Sequence, residues 1–205
     1  MRDVNVTEKD KADFTDLVEL ACRLGAGDAA MVPAAAVPVE DSLARLCSDP
    51  PCGNYGTSAG CPPHVAGPPG FRKLLRECEW ALIFRIEVPS SVLLSEERRE
   101  VFRRLHEIAA EVERRAVQMG FHKSRGFAGG SCRELFCRDQ EVCRVTAEGG
   151  PCRNPHHARP SISGFGVNVS KLMGAAGWAM NRVGGENQKD GNPGTGTVCG
   201  LVLVG

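Results

Sequence analysis

The sequence predicts an α+β fold: a small mixed sheet with packed helices and two cysteine-rich metal-binding loops, in a single domain over residues 1–205. Three observations lead there. Trp80 to Val88 (WALIFRIEV) and Thr197 to Val204 (TVCGLVLV) are apolar runs of strand length, the first bounded by Pro89-Ser90-Ser91. Val101, Phe102, Leu105, Ile108, Ala109, Val112, Ala116 and Met119 recur at helical spacing up to Gly120. The stretches 47–63 and 130–160 gather seven of the ten cysteines in frames of Gly and Pro, which exclude regular structure and set sharp turns.

Taken in order, residues 7–24 put Phe14, Leu17, Val18, Ala21 and Leu24 on one helical stripe, with acids early and Gly25 as a stop. Cys22 beside that stripe reads as a small hydrophobe. Residues 29–39 read as an edge strand, because Pro33 and Pro38 cannot donate to a ladder. Pro68 and Pro69 start a short helix whose apolar face is Phe71, Leu74, Leu75 and Cys78. Ser95 caps the long helix, with Glu96 and Glu97 in its first turn; arginines on its outer face and no clustered catalytic types mark it as scaffold. Phe121 to Ala128 reads as a third strand leading into Gly129-Gly130, with His122 as a surface or core histidine. Ser161 caps a helix to about Met173, weakened by Gly164 and Gly166. The loop Gly184 to Gly196 matches neither the dinucleotide fingerprint nor the P-loop, and the side Cys199 takes depends on strand register.

Charge is balanced, 25 basic against 25 acidic residues with a pI near 6.9, which gives no electrostatic ground for a nucleic acid or an anionic membrane as partner. No apolar run approaches the length of a spanning helix. The charged N-terminus has no apolar signal core, so a cytoplasmic protein with reduced thiols is expected. Residues 1–50 carry ten acids and five bases, a solvated acidic face. No Gly-x-Ser-x-Gly, His-Glu-x-x-His or acid pair supports nucleophilic or hydrolytic catalysis by the protein itself, and catalytic residues remain unknown.

The chemistry rests with the cysteines. The later stretch has Cys132-x4-Cys137-x5-Cys143-x8-Cys152 and the earlier one Cys47-x4-Cys52-x8-Cys61. Disulfides are disfavoured by the expected compartment. Zinc, the alternative metal, pairs ligands at Cys-x2-4-Cys, and only Cys132 and Cys137 come near that spacing. An iron–sulfur cluster accepts a wider loop and needs backbone N–H donors, which Gly129, Gly130, Gly149 and Gly150 let approach. Residues 121–160 hold seven basic and four acidic side chains, a positive excess suited to an anionic cluster and equally to solvated loop arginines. The expected cofactor is therefore one or two [4Fe-4S] clusters per chain. Three cysteines in the earlier stretch leave a fourth position for Cys22, Cys78, Cys199, His64, a small molecule or solvent. His156 and His157 rank lower, as proton donors or replacement ligands.

The pattern Cys52-Gly-Asn-Tyr55-Gly56-x4-Cys61-Pro62-Pro63, then Cys152-Arg153-Asn154-Pro155, Arg159-Pro160-Ser161 and Gly166-Val-Asn-Val169, resembles the bacterial and archaeal family of predicted metal-binding proteins known as domain of unknown function 2284. The likeness runs roughly from Val32 to the end. It departs at Ser163-Gly164-Phe165, where an acidic residue and an alanine are expected. The resemblance implies a cysteine-rich metal or iron–sulfur protein found mainly in anaerobes, with cysteines 47, 52, 61, 132, 137, 143 and 152 in the motif positions. The functional expectation is electron transfer through the clusters, to a redox partner protein. The alternatives are an enzyme that binds a small-molecule substrate at an open iron of the three-cysteine site, and a structural zinc protein.

Overall fold

Two long apolar strands make the centre because their alternate residues are buried on both faces. The structure is a computed structural model describing residues 7–179 and 194–205. The expected loop at 184–196 lies outside the described residues up to position 193. In chain order the elements are α1 (Glu8–Arg23), β1 (Asp28–Pro33), a 3-10 turn (Ala34–Ala36), α2 (Asp41–Arg45), α3 (Gly67–Glu77), β2 (Trp80–Pro89), α4 (Ser90–Leu94) and α5 (Arg98–Gln118). They continue with β3 (Arg125–Phe127), α6 (Cys132–Phe136), α7 (Arg144–Glu148), a second 3-10 turn (Ile162–Phe165), α8 (Val169–Ala175) and β4 (Thr195–Val204).

The sheet order is β1-β2-β4-β3. All three pairings are antiparallel, so the mixed sheet expected from sequence is corrected; a single parallel bridge, Ala128 to Ser161, lies outside the strands. Proline at the end of β1 and the three-residue length of β3 blunt the two edges. On one face, Leu82, Phe84 and Ile86 of β2 and Val198, Val202 and Val204 of β4 meet Phe14, Leu17 and Ala21 of α1 and Leu105, Ile108, Val112 and Ala116 of α5. On the other, Ala81, Ile83, Cys199, Leu201 and Leu203 meet Phe71, Ile162, Leu172 and Met173. Phe71, Phe127 and Phe165 form a ring trio with centroids 5.0, 5.3 and 5.2 Å apart. Each large apolar side chain among these, taken fully out of water, stabilises by about 1.5–3 kcal/mol.

Several boundaries differ from the sequence reading, each for a local reason. The long helix starts at Arg98, because residues 90–94 form a separate turn of helix; the Ser95 hydroxyl still takes the Glu97 N–H at 3.2 Å. The expected helix from Ser161 to Met173 is split, because Gly166 turns with φ +72°, and Asn168 rather than Ser161 caps α8 by accepting the Lys171 N–H at 3.0 Å. The third strand shortens to Arg125–Phe127 because residues 121–124 form a turn. Cys22 is exposed on α1, not packed with the stripe beside it. No helix among the described residues is long and apolar enough to cross a membrane.

Candidate metal centre

The later cysteine stretch leaves the sheet edge after β3 and is fastened to α5 at both ends. His106, fully buried on α5, accepts the Arg159 N–H on Nδ1 at 3.1 Å and places Nε2 3.1 Å from the Gly129 carbonyl. An acceptor role for Nδ1 assigns the proton to Nε2, which donates to Gly129. Burial pulls the ring's pKa down to about 4, the Gly129 bond opposing and the Arg159 charge assisting, so the imidazole is neutral. Beside it the Glu113 carboxylate accepts the Gly126 N–H and pairs with the Arg159 guanidinium at 2.8 Å.

Between those ends Cys132 opens α6, Cys137 follows its last residue, Cys143 caps α7 and Cys152 lies in the loop beyond. All four line one small void of about 20 Å³. Polar hydrogens are turned on their sulfurs. The Asn154 backbone N–H meets Cys152 Sγ at 3.3 Å, and its side-chain Nδ2 meets Cys137 Sγ at 3.1 Å. For Cys143, burial acts to raise the thiol's pKa, but N–H groups of Ala59, Thr146 and Val145 and the Thr146 hydroxyl outweigh it and hold the group below its ordinary value. Cys132 goes the other way: burial pushes it up to about 11, with the Ser58 hydroxyl opposing and Cys61, Cys152 and Cys143 adding to the rise.

Three arginines of this stretch, Arg133, Arg153 and Arg159, donate to backbone oxygens, while Arg144 lies 4.0 Å from Glu148. Arg133 donates to the carbonyls of Gln140 and Glu141 at 2.9 and 2.5 Å, and Arg153 to that of Val142 at 3.1 Å. From α5, Arg103 donates to the Leu135 carbonyl and lies over the Phe136 ring at 5.1 Å. The basic excess seen in the sequence therefore ties loop carbonyls together, a role that composition alone does not distinguish from solvation.

The earlier stretch folds on itself: the Cys52 N–H donates to Cys47 O at 3.1 Å, Gly56 to Pro62 O at 2.8 Å and Cys61 to Ser58 O at 3.1 Å. Cys47, Cys52 and Cys61 line a cleft of about 470 Å³, with Leu43 and Leu46 on one side and Ser131, Ser161, Ser163 and Ser170 on another. Burial raises the Cys47 thiol first, then the neighbouring Cys52 and Cys61 sulfurs. The two stretches touch through residues 58–61. Gly60 lies so near Cys132 that a Cβ there would stand 3.2 Å from its sulfur, with Pro160 and Arg159 backbone atoms at 3.5 and 3.6 Å behind. Ser58 lines the four-cysteine void and Ala59 donates to Cys143, while Cys61, two residues further on, belongs to the cleft.

The remaining candidates lie elsewhere. Cys78 is buried beyond α3, its sulfur 3.8 Å from the Lys123 carbonyl, and burial raises its pKa. Cys199 faces the second half-core, where burial pushes it to about 12. His64, His122, His156 and His157 are exposed; His64 sets Nε2 3.3 Å from the Gly56 carbonyl, and His157 stacks on Phe136 at 6.1 Å. None of these, nor Cys22, lines the cleft or the void. All ten cysteines are free thiols. Among the described residues no three His, Cys, Asp or Glu side chains are grouped so as to hold a single metal ion.

Sequence reasoning missed His106 and the sulfur contacts of Asn154 and of the Ser58-Ala59-Gly60 turn. For His106 a signal existed, a polar residue on the apolar stripe of a long helix; Asn154 stood in the motif Cys152-Arg153-Asn154-Pro155 with no role assigned to it.

An antiparallel α+β frame with seven thiols gathered beside one edge of its sheet defines a cysteine-rich protein whose chemistry is that of soft sulfur donors. The chain belongs to the family described as predicted metal-binding protein, domain of unknown function 2284, whose model matches residues 30–204. No curated protein and no solved structure matches it.

Proposed function

We propose that this protein is an iron–sulfur electron carrier in a reduced cell interior, with a [4Fe-4S] cluster held by Cys132, Cys137, Cys143 and Cys152. The observation that carries this reading is the shared void of the four cysteines with polar hydrogens turned on three of the sulfurs. A structural zinc pairs its thiolates off tight Cys-x2-4-Cys knuckles, and of the four only Cys132 and Cys137 come near that spacing. A cluster is a larger body that keeps its ligands apart and takes its tuning from hydrogen bonds to sulfur. The void of about 20 Å³ would have to widen to admit a cluster, and the preference for a cluster over structural zinc rests on the wide cysteine spacing. When bound, such a cluster accepts and releases one electron at a time. The chain's own residues do the rest: Asn154, Val145, Thr146 and Ala59 stabilise negative sulfur, His106 fixes the loop ends, and residues 58–61 cover the void. We read the chain as one domain.

A second reading concerns Cys47, Cys52 and Cys61. Their cleft is lined by no other Cys, His, Asp or Glu, which favours a metal or second cluster there with a position left to a small molecule, as an open-iron enzyme needs. The test for both is the iron, sulfide and zinc content of anaerobically purified protein, with electron paramagnetic resonance after reduction. About four irons and four sulfides per chain are expected for the four-cysteine site alone, and more if the second fills. One zinc per chain without sulfide overturns the proposal.

A further inference from the structure

We propose that the cleft beside Cys47, Cys52 and Cys61 binds a small uncharged molecule with a carbonyl or hydroxyl oxygen at one end and a short apolar body. This goes beyond the second reading above: it rests on the side chains of the cleft and needs no metal among its sulfurs. The cleft volume of about 470 Å³ falls within the range of about 300–1,000 Å³ usual for small-molecule sites. Its lining contains no Lys, Arg, His, Asp or Glu. A carboxylate or phosphate entering it would lose water and meet no cationic side chain, a cost that selects against anions. Leu43, Leu46 and Val169 offer an apolar surface, and Leu46 is 63% exposed at the opening.

The oxygen end is assigned by Ser131. This residue lines the cleft, is 2% exposed, and its hydroxyl is buried with no hydrogen-bond partner although it stands at the start of α6. A buried hydroxyl without a partner is costly, and a turn of the Ser131 side chain towards the cleft it lines would let a ligand oxygen supply the acceptor. Asn168, by contrast, has both ends of its amide occupied, by Glu40 and by the Lys171 N–H. The site thus distinguishes neutral oxygen compounds, such as amides, ketones and alcohols, from their acid counterparts.

The experiment compares phenylacetamide with phenylacetate by isothermal titration and ligand-observed NMR on the anaerobically purified full chain. The amide is expected to bind at least tenfold more tightly than the carboxylate. Ser131→Ala should weaken the amide about fivefold, and Leu46→Lys, at an exposed position that folding does not need, should bring the carboxylate up towards the amide. No binding of either probe, equal binding of both, or binding indifferent to both substitutions overturns the proposal. Iron and sulfide content of the same sample reports on the metal reading separately: an iron-loaded chain that ignores the amide defeats the cleft proposal alone, and an iron-free chain that binds it defeats the metal reading alone.

Discussion

The two cysteine knots share a wall and differ in almost everything else. The four-cysteine void is small and covered, and N–H groups from Asn154, Ala59, Val145 and Thr146 are directed at its sulfurs. The three-cysteine cleft is open and more than twenty times larger, and what acts on Cys47 is burial and two neighbouring sulfurs, all raising its pKa. Placed side by side, they show that cysteine spacing sets where thiols gather, while the supply of polar hydrogens sets what charge a knot can carry. In the covered knot polar hydrogens hold Cys143 below its ordinary pKa, while burial pushes Cys132 up to about 11. In the open one, stabilising negative sulfur is left to whatever enters it.

The sharpest way to break this comparison is to remove one ligand. Cys143→Ser should abolish the cluster signal of the four-cysteine site and leave any signal from the other, whereas Cys22→Ser should change neither; equal losses in electron paramagnetic resonance would sink the assignment. Next in size is the anchor. His106→Ala leaves the Gly129 carbonyl and the Arg159 N–H unpaired in the interior, an expected loss of about 2–5 kcal/mol in urea unfolding. The same histidine sets a pH dependence. Its folded pKa, lowered to about 4 from 6.5, means the unfolded chain binds a proton first as pH falls. Its contribution, about 3 kcal/mol, is complete above pH 6.5 and is lost between there and 4; a stability that does not fall over this window would remove the neutral buried histidine from the account.

Smaller effects separate the knots more finely. Gly60→Ala presses a methyl on the Cys132 sulfur and should cost about 1 kcal/mol while perturbing the four-cysteine signal, although residue 60 lies in the other stretch. Asn154→Ala removes the side-chain bond to the Cys137 sulfur, so the midpoint potential of that site should become more negative, with iron content unchanged. In metal-free protein, timed alkylation followed by mass spectrometry should find Cys143 modified before Cys132, because one thiol is held below its usual pKa and the other pushed to about 11.

Much of the frame was legible because it depends on local pattern. Strands β2 and β4 are apolar on both faces, and α5 repeats its apolar residues over five turns, so no distant contact was needed to see them. The seven cysteines were legible for the same reason, as clustered rare residues. What stayed hidden acts across the chain. His106 meets partners 23 and 53 positions away, and Gly60 meets a sulfur 72 residues on; no spacing rule carries that information. The helix after Ser161 was misread because Gly166 takes a left-handed turn that periodicity ignores, although the glycine itself was the warning. The mixed sheet was misread because the pairing of strands far apart in sequence is decided by packing.

One short turn, Ser58 to Cys61, is the party wall of this molecule. It roofs one chamber with a hydroxyl and two backbone groups and, at its final residue, hands a sulfur to the next. If the void takes up iron and sulfide, the swelling presses on this turn and on Cys61 at its end. Filling of the two compartments should then be coupled, and a reconstitution curve followed at one should shift when the other is filled first.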